Sequence, residues 1–128
     1  MAKTVVFSSA APAPIGPYSQ AIQAGNMLFV SGQIAIQQST GSMITANIEE
    51  EAHQVMKNIE EVLRAAQFNF THVVKTTIFL ADMAHFATVN NLYAQVFQSE
   101  PPARSTVQVA ALPKNGLVEI EVIALLEE

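Results

Sequence analysis

Apolar residues along this chain fall at two spacings, and the change from one to the other predicts its elements. Short runs rich in Val, Ile, Phe and Leu at residues 4–7, 18–24, 27–31, 73–80, 105–109 and 118–126 read as strands. Gly25-Asn26 supplies the turn between the second and third of them. From residue 52 the spacing becomes helical: Ala52, Val55, Met56, Ile59, Val62, Leu63 and Ala66 form one stripe. Asn47 can cap that helix, with Glu50 three residues on as the reciprocal partner. A second helix over 83–98 carries Phe86, Val89, Tyr93 and Phe97, and Pro101-Pro102 stops it. The proline-rich segment 10–17 is a stiff extended connection, and the polar stretch 37–47 around Gly41 is a surface loop with room for a small hairpin.

The resulting order, β-β-β-α-β-α-β-β, favours a single α+β domain over residues 1–128: one mixed sheet with two helices on one face. One feature of the pattern does not fit a lone chain. Met27-Leu28-Phe29-Val30, Ile78-Phe79-Leu80 and Ile123-Ala124-Leu125-Leu126 are apolar at both parities. Such strands are covered on both faces, and two helices cover only one. A further copy of the same chain, in closed symmetry, is the expected cover for the other.

Composition narrows the chemistry. Six cationic side chains against eleven acids leave a net charge of −5, which argues against a nucleic-acid partner. There is no cysteine, so disulfides, thiol nucleophiles and cysteine–zinc sites are excluded. No apolar run approaches the ~18 residues of a membrane span, and a cytoplasmic protein is expected. His53, His72 and His85 have no metal-ligand spacing, and no dinucleotide, phosphate-loop, serine-hydrolase or zinc-protease signature occurs. No metal or cofactor is expected. The remaining chemistry is that of an arginine, a carboxylate, small hydroxyls and water.

Arg104 is one of only two arginines, and it stands at the mouth of a strand just after the diproline. Strand alternation puts Arg104, Thr106 and Gln108 on one face, while Glu119 and Glu121 share a parity in the last strand. Two readings are open: a cross-strand ion pair between Arg104 and one of those glutamates, or a fork that holds a substrate carboxylate. Gly16-Pro17-Tyr18-Ser19-Gln20 is either a plain turn or a rigid rim that aims Tyr18 at a cleft. Ser31-Gly32-Gln33 reads as a turn whose glycine would let a ligand approach the backbone. Asn90, one residue off the apolar stripe, reads as an amide that faces solvent or bonds to backbone.

Together these pieces resemble the RidA/YjgF family, the reactive-intermediate (enamine/imine) deaminases. The resemblance rests on Ile15-Gly16-Pro17-Tyr18-Ser19-Gln20-Ala21, Val30-Ser31-Gly32-Gln33, Lys57-Asn58-Ile59, Phe86-Ala87-Thr88-Val89-Asn90, Pro102-Ala103-Arg104-Ser105 and Val118-Glu119-Ile120-Glu121, in that order. It implies a chorismate-mutase-like fold assembled as a homotrimer, with three clefts between subunits. It implies cofactor-free hydrolysis of 2-aminoacrylate and related enamines, through their imines, to 2-keto acids and ammonia. By the same resemblance Arg104 grips the substrate carboxylate and Glu119, the first glutamate of its pair, activates water. Tyr18, Ser31, Gly32 and Asn90 line the cleft, and the Thr106 backbone meets the imino group. Many members of the family carry cysteine where this chain has Thr106. Two other roles are weighed beside the deaminase. One is a regulatory module that binds a small carboxylate without turnover, which would not need Glu119. The other is a ribonuclease, against which the acidic charge counts.

Overall fold

The computed structural model describes residues 2–127. In chain order its elements are β1 (Thr4–Val6), β2 (Ala21–Ala24), β3 (Met27–Gln33), β4 (Ile36–Gln37), β5 (Ser42–Met43), α1 (Ile48–Ala65), β6 (Val73–Leu80), α2 (Phe86–Val96), β7 (Ala103–Gln108) and β8 (Val118–Leu125). Six strands make one sheet in the order β1-β2-β3-β8-β6-β7, and β4 pairs with β5 as the small hairpin of the polar loop. Neighbours in the large sheet are antiparallel except β6 and β7, which run parallel and are joined through α2.

Both helices lie on one face, as the order of elements implied. The stripe of α1 is buried from Ala52 to Leu63 against β3 and β8, and Tyr93 of α2 shares a 2.7 Å hydroxyl contact with Thr76 of β6. Leu28, Ile59, Leu63, Ile78, Leu80 and Ile120 are fully buried between these layers, each contributing ~1.5–3 kcal/mol relative to exposure.

Two buried amides fasten irregular backbone to this core. Asn58 of α1 donates to the carbonyls of Ile34 (3.1 Å) and Ile36 (2.9 Å), which holds the chain leaving β3 against the helix. Gln20 accepts from the Ser8 N–H at 2.6 Å and donates to the Pro12 carbonyl at 2.8 Å, pinning the proline-rich segment. Because Gln20 is turned inward for that task, residues 18–20 are not strand, and β2 starts only at Ala21.

The second helix also differs from the expectation. Its first turn, Met83–His85, is a 3₁₀ turn whose Asp82 cap accepts from the Ala84 N–H at 2.8 Å, and the α-helix proper begins at Phe86. At the first helix Asn47 accepts from the Glu50 N–H at 2.8 Å, while Glu50 answers to the Asn47 side chain at 3.2 Å.

The face away from the helices carries a cross-strand row set by register: Val5, Ile22, Phe29 and Ile123. Phe29 is 43% exposed while Leu28 and Val30 on either side of it are buried. The doubly apolar pattern therefore has one parity under the helices and the other open to solvent in a single chain.

Candidate active site

β3 and β8 meet at a bulge. Val30 faces Val122 and Gln33 faces Ile120, so Ser31 and Gly32 together oppose the single Glu121. Beside the bulge lies a cleft of about 380 Å³ whose walls include Tyr18, Ser31, Gly32, Ile34, Pro113 and Glu119. Gly32 is required there for room. A Cβ on it would stand 2.8 Å from Glu119 Cδ and 3.0 Å from Cγ, so the Glu119 carboxylate occupies the space any other side chain would take. Burial pushes the Glu119 carboxyl above the usual glutamate range, and the negative charge of Glu121 adds to the effect. A carboxylate in that condition is a stronger base than one in water.

The rim of the cleft is held by backbone contacts. The Ser31 hydroxyl donates to the Ser19 carbonyl at 2.6 Å and the Ser31 N–H donates to Gln20 at 2.9 Å. Ser31 thus anchors the segment that carries Tyr18. The Tyr18 hydroxyl accepts from the Ile15 N–H at 3.3 Å and keeps its own proton free for another acceptor.

A second cluster forms on α2. Phe86, Asn90 and Tyr93 are four and three residues apart, so they share one face of the helix. Arg104 lies across it: its guanidinium donates to Asn90 Oδ1 at 2.7 Å and sits 5.0 Å from the Tyr93 ring centroid and 5.7 Å from that of Phe86. The ion pairs among the described residues belong to the other arginine, Arg64, with Glu60 and Glu61. Arg104 therefore keeps donors for an anion, and Asn90 is half-buried and engaged by the guanidinium rather than solvent-facing. The cross-strand ion pair with Glu119 or Glu121 does not form, because β6 separates β7 from β8.

Thr106 is near this cluster by register. β7 is an edge strand, and the Val109 N–H donates inward to Leu80 at 2.9 Å. Three residues earlier, the alternation of a strand turns the Thr106 N–H and C=O to the free edge. Its hydroxyl is buried without a hydrogen-bond partner.

The two clusters lie on opposite sides of the sheet. Arg104 is level with Thr76 and Val122, both buried under the helices, whereas Glu119 is level with Phe79 and Val107 on the open face. Two strand spacings and three residues of rise put their Cα atoms ~14 Å apart.

The family model described as Endoribonuclease L-PSP matches residues 8–126. The chain belongs to that family, the RidA/YjgF group. It is 48% identical over 123 residues to the mouse 2-iminobutanoate/2-iminopropanoate deaminase, covering 96% of this chain and 91% of the mouse protein. Its fold matches a Rid-family protein, YyfA of Yersinia pestis, with TM-score 0.95 and 48% identity over 98% of this chain and all of that one. Escherichia coli TdcF, solved with bound serine, matches with TM-score 0.93 and 38% identity over 97% and 99% of the two chains.

Within this RidA/YjgF chain, six of the seven residues singled out from the sequence fall into two groups: Tyr18, Ser31, Gly32 and Glu119 in the cleft, Asn90 and Arg104 on the α2 face. Thr106 joins the second by register. The rings of Phe86 and Tyr93 beneath the guanidinium were not singled out as site residues; their four-and-three spacing around Asn90 was the available signal. The branched wall of the cleft, Ile34 and Pro113, carries no motif of its own.

Proposed function

We propose that this chain is a cofactor-free hydrolytic deaminase of 2-aminoacrylate and related enamines, acting on their imines, in clefts between neighbouring copies of a homotrimer. The observation that carries it is the disposition of Arg104 and Glu119. A 2-imino acid has its carboxylate bonded directly to the carbon that water attacks, so its anion anchor and its base must lie within a few ångströms of each other. One chain cannot offer both, since they leave opposite faces of the sheet. A neighbouring copy docked on the open apolar face can bring its own Arg104 to the Glu119 cleft, and the covering of the Phe29 row supplies the driving force.

In this reading the enamine first tautomerises to the imine. Arg104, stacked on Phe86 and Tyr93 and oriented by Asn90, takes the carboxylate in a fork. The Thr106 backbone at the β7 edge and the Gly32 backbone at the bulge orient the imino group. Glu119 takes a proton from water as its oxygen bonds to the imino carbon, and the C=N π pair moves to nitrogen. The proton passes on to nitrogen to give a carbinolamine. Its hydroxyl then gives its proton through Glu119 to the amino group, the C=O π bond forms as the C–N bond breaks, and ammonia and the 2-keto acid are released. Burial of Glu119 suits it to this role by raising its basicity. Tyr18 forms the rim, and Ile34 and Pro113 receive the substrate side chain. Its place of work in this reading is the cytoplasm.

The test is to generate 2-aminoacrylate in situ with a serine dehydratase and follow decay of the imine. The protein should speed decay well beyond the spontaneous rate. Tight binding of pyruvate without acceleration would instead favour a carboxylate-sensing module.

A further inference from the structure

Glu51 is a carboxylate 3% exposed in the first turn of α1, and the deaminase chemistry above does not use it. Its Oε1 accepts from the Leu117 N–H at 2.9 Å. The carbonyl of the same residue accepts from the Ala81 N–H at 3.0 Å, so Leu117 is fastened through both of its backbone groups. The chain on either side needs this. Before it come Lys114 and Asn115, both at positive φ (55° and 56°), an unfavourable conformation for residues with side chains. Two residues after it comes Glu119, and four before it Pro113, both in the wall of the cleft.

We propose that Glu51 is a positioning residue for Glu119: its carboxylate holds the strained 113–117 turn down on α1 and so sets where β8 begins and where the Glu119 carboxylate lies over Gly32. The proposal rests on the deaminase reading for its kinetic consequence, though not for its structural one. Burial pushes the Glu51 carboxyl up, and the Leu117 N–H and then the charge of His85 draw it back. A group kept in so unfavourable a place has a contact to make. Arg104 is held by a different set of groups, Asn90, Phe86 and Tyr93 of α2.

Two substitutions separate the acceptor from the charge. Glu51→Gln keeps an oxygen at the same reach, while Glu51→Asp keeps the charge and withdraws the oxygen by one methylene. Glu51→Gln should turn over within about threefold of wild type. Glu51→Asp should lose about tenfold or more in kcat with KM nearly unchanged, since small misplacement of a catalytic group is costly while the carboxylate anchor is untouched. Amide hydrogen exchange supplies a readout that needs no activity: Glu51→Asp should lose protection at 114–119 while β7 and α2 stay protected. The proposal is overturned if Glu51→Gln falls as far as Glu51→Asp, if Glu51→Asp turns over normally, or if the exchange loss is spread evenly over the chain. Should the wild type itself prove inactive, the deaminase reading fails and the exchange pattern alone decides the role of Glu51.

Discussion

Arg104 and Glu119 leave opposite faces of one sheet, with β6 between their strands, and each is prepared for a partner that its own chain does not bring. The arginine is stacked on two rings and bonded to an amide, with no carboxylate of the described residues at ion-pair distance. The glutamate is desolvated over a glycine, and among the described residues no cation stands at ion-pair distance from it. A structural ion pair would have neutralised both. Each half carries an unsatisfied demand, and the demands are complementary.

Replacing Arg104 by Ala should abolish turnover and keto-acid binding together. The lost charge-assisted fork is worth on the order of 3 kcal/mol, about a hundredfold. The folded assembly should survive, because the guanidinium sits at the edge strand and makes no ion pair. Arg64→Ala is the control, its ion pairs being exposed on α1, and it should leave kinetics unchanged. Steady-state rates and isothermal titration with pyruvate on both variants check this.

Gly32→Ala should displace the Glu119 carboxylate, since the new Cβ would need the space that carboxylate holds. We expect kcat to fall about tenfold or more with KM little affected, as only the water-activating half moves. Circular dichroism should show an intact fold. An alanine variant with wild-type kcat would mean that Glu119 is free to relocate without consequence.

Glu119 should govern the acidic limb of the rate profile. The base must be ionised, so kcat falls as pH drops through its raised pKa, at a pH above the 4.5 usual for a glutamate. Its effect on stability has the opposite sense. A carboxyl with a raised folded pKa favours the native state at low pH, and that contribution is lost as pH rises through the folded value. Glu119→Gln should be inactive. In an Arg104→Ala background, where no neighbouring guanidinium offsets the burial, it should also melt higher than its parent at pH 7, and the gap should close on acidification. Melting curves at the two pH values measure it.

Much of this was legible in the residues. The α1 stripe, the Gly25-Asn26 turn and the strands with apolar residues at both parities followed directly from spacing. What spacing could not show was neighbourhood. The strand order β3-β8-β6-β7 separates Arg104 from Glu119, and no local pattern distinguishes that from direct pairing. The tethering roles of Gln20 and Asn58 had no signal, because their buried partners are backbone groups, which leave no mark in sequence. Asn90 read as facing solvent or bonded to backbone because it sits off the apolar stripe of α2, and only the crossing of β7 beneath that helix turns it toward an arginine. The 3₁₀ turn at 83–85 was hidden inside an apolar pattern that either kind of helix satisfies.

In the proposed trimer each working site takes its arginine from one chain and its glutamate from the next, and mixed assemblies put that sharing to the test. Arg104→Ala and Glu119→Gln subunits, each inactive alone, should be unfolded together in equal amounts and allowed to reassemble. In a cyclic trimer with shared sites, every mixed assembly contains one site with both residues intact, so random mixing should restore about a quarter of wild-type activity. Activity that stays at the level of the separate variants, in assemblies shown by mass spectrometry to be mixed, would contradict the account: both residues would then have to act from the same chain, or not at all.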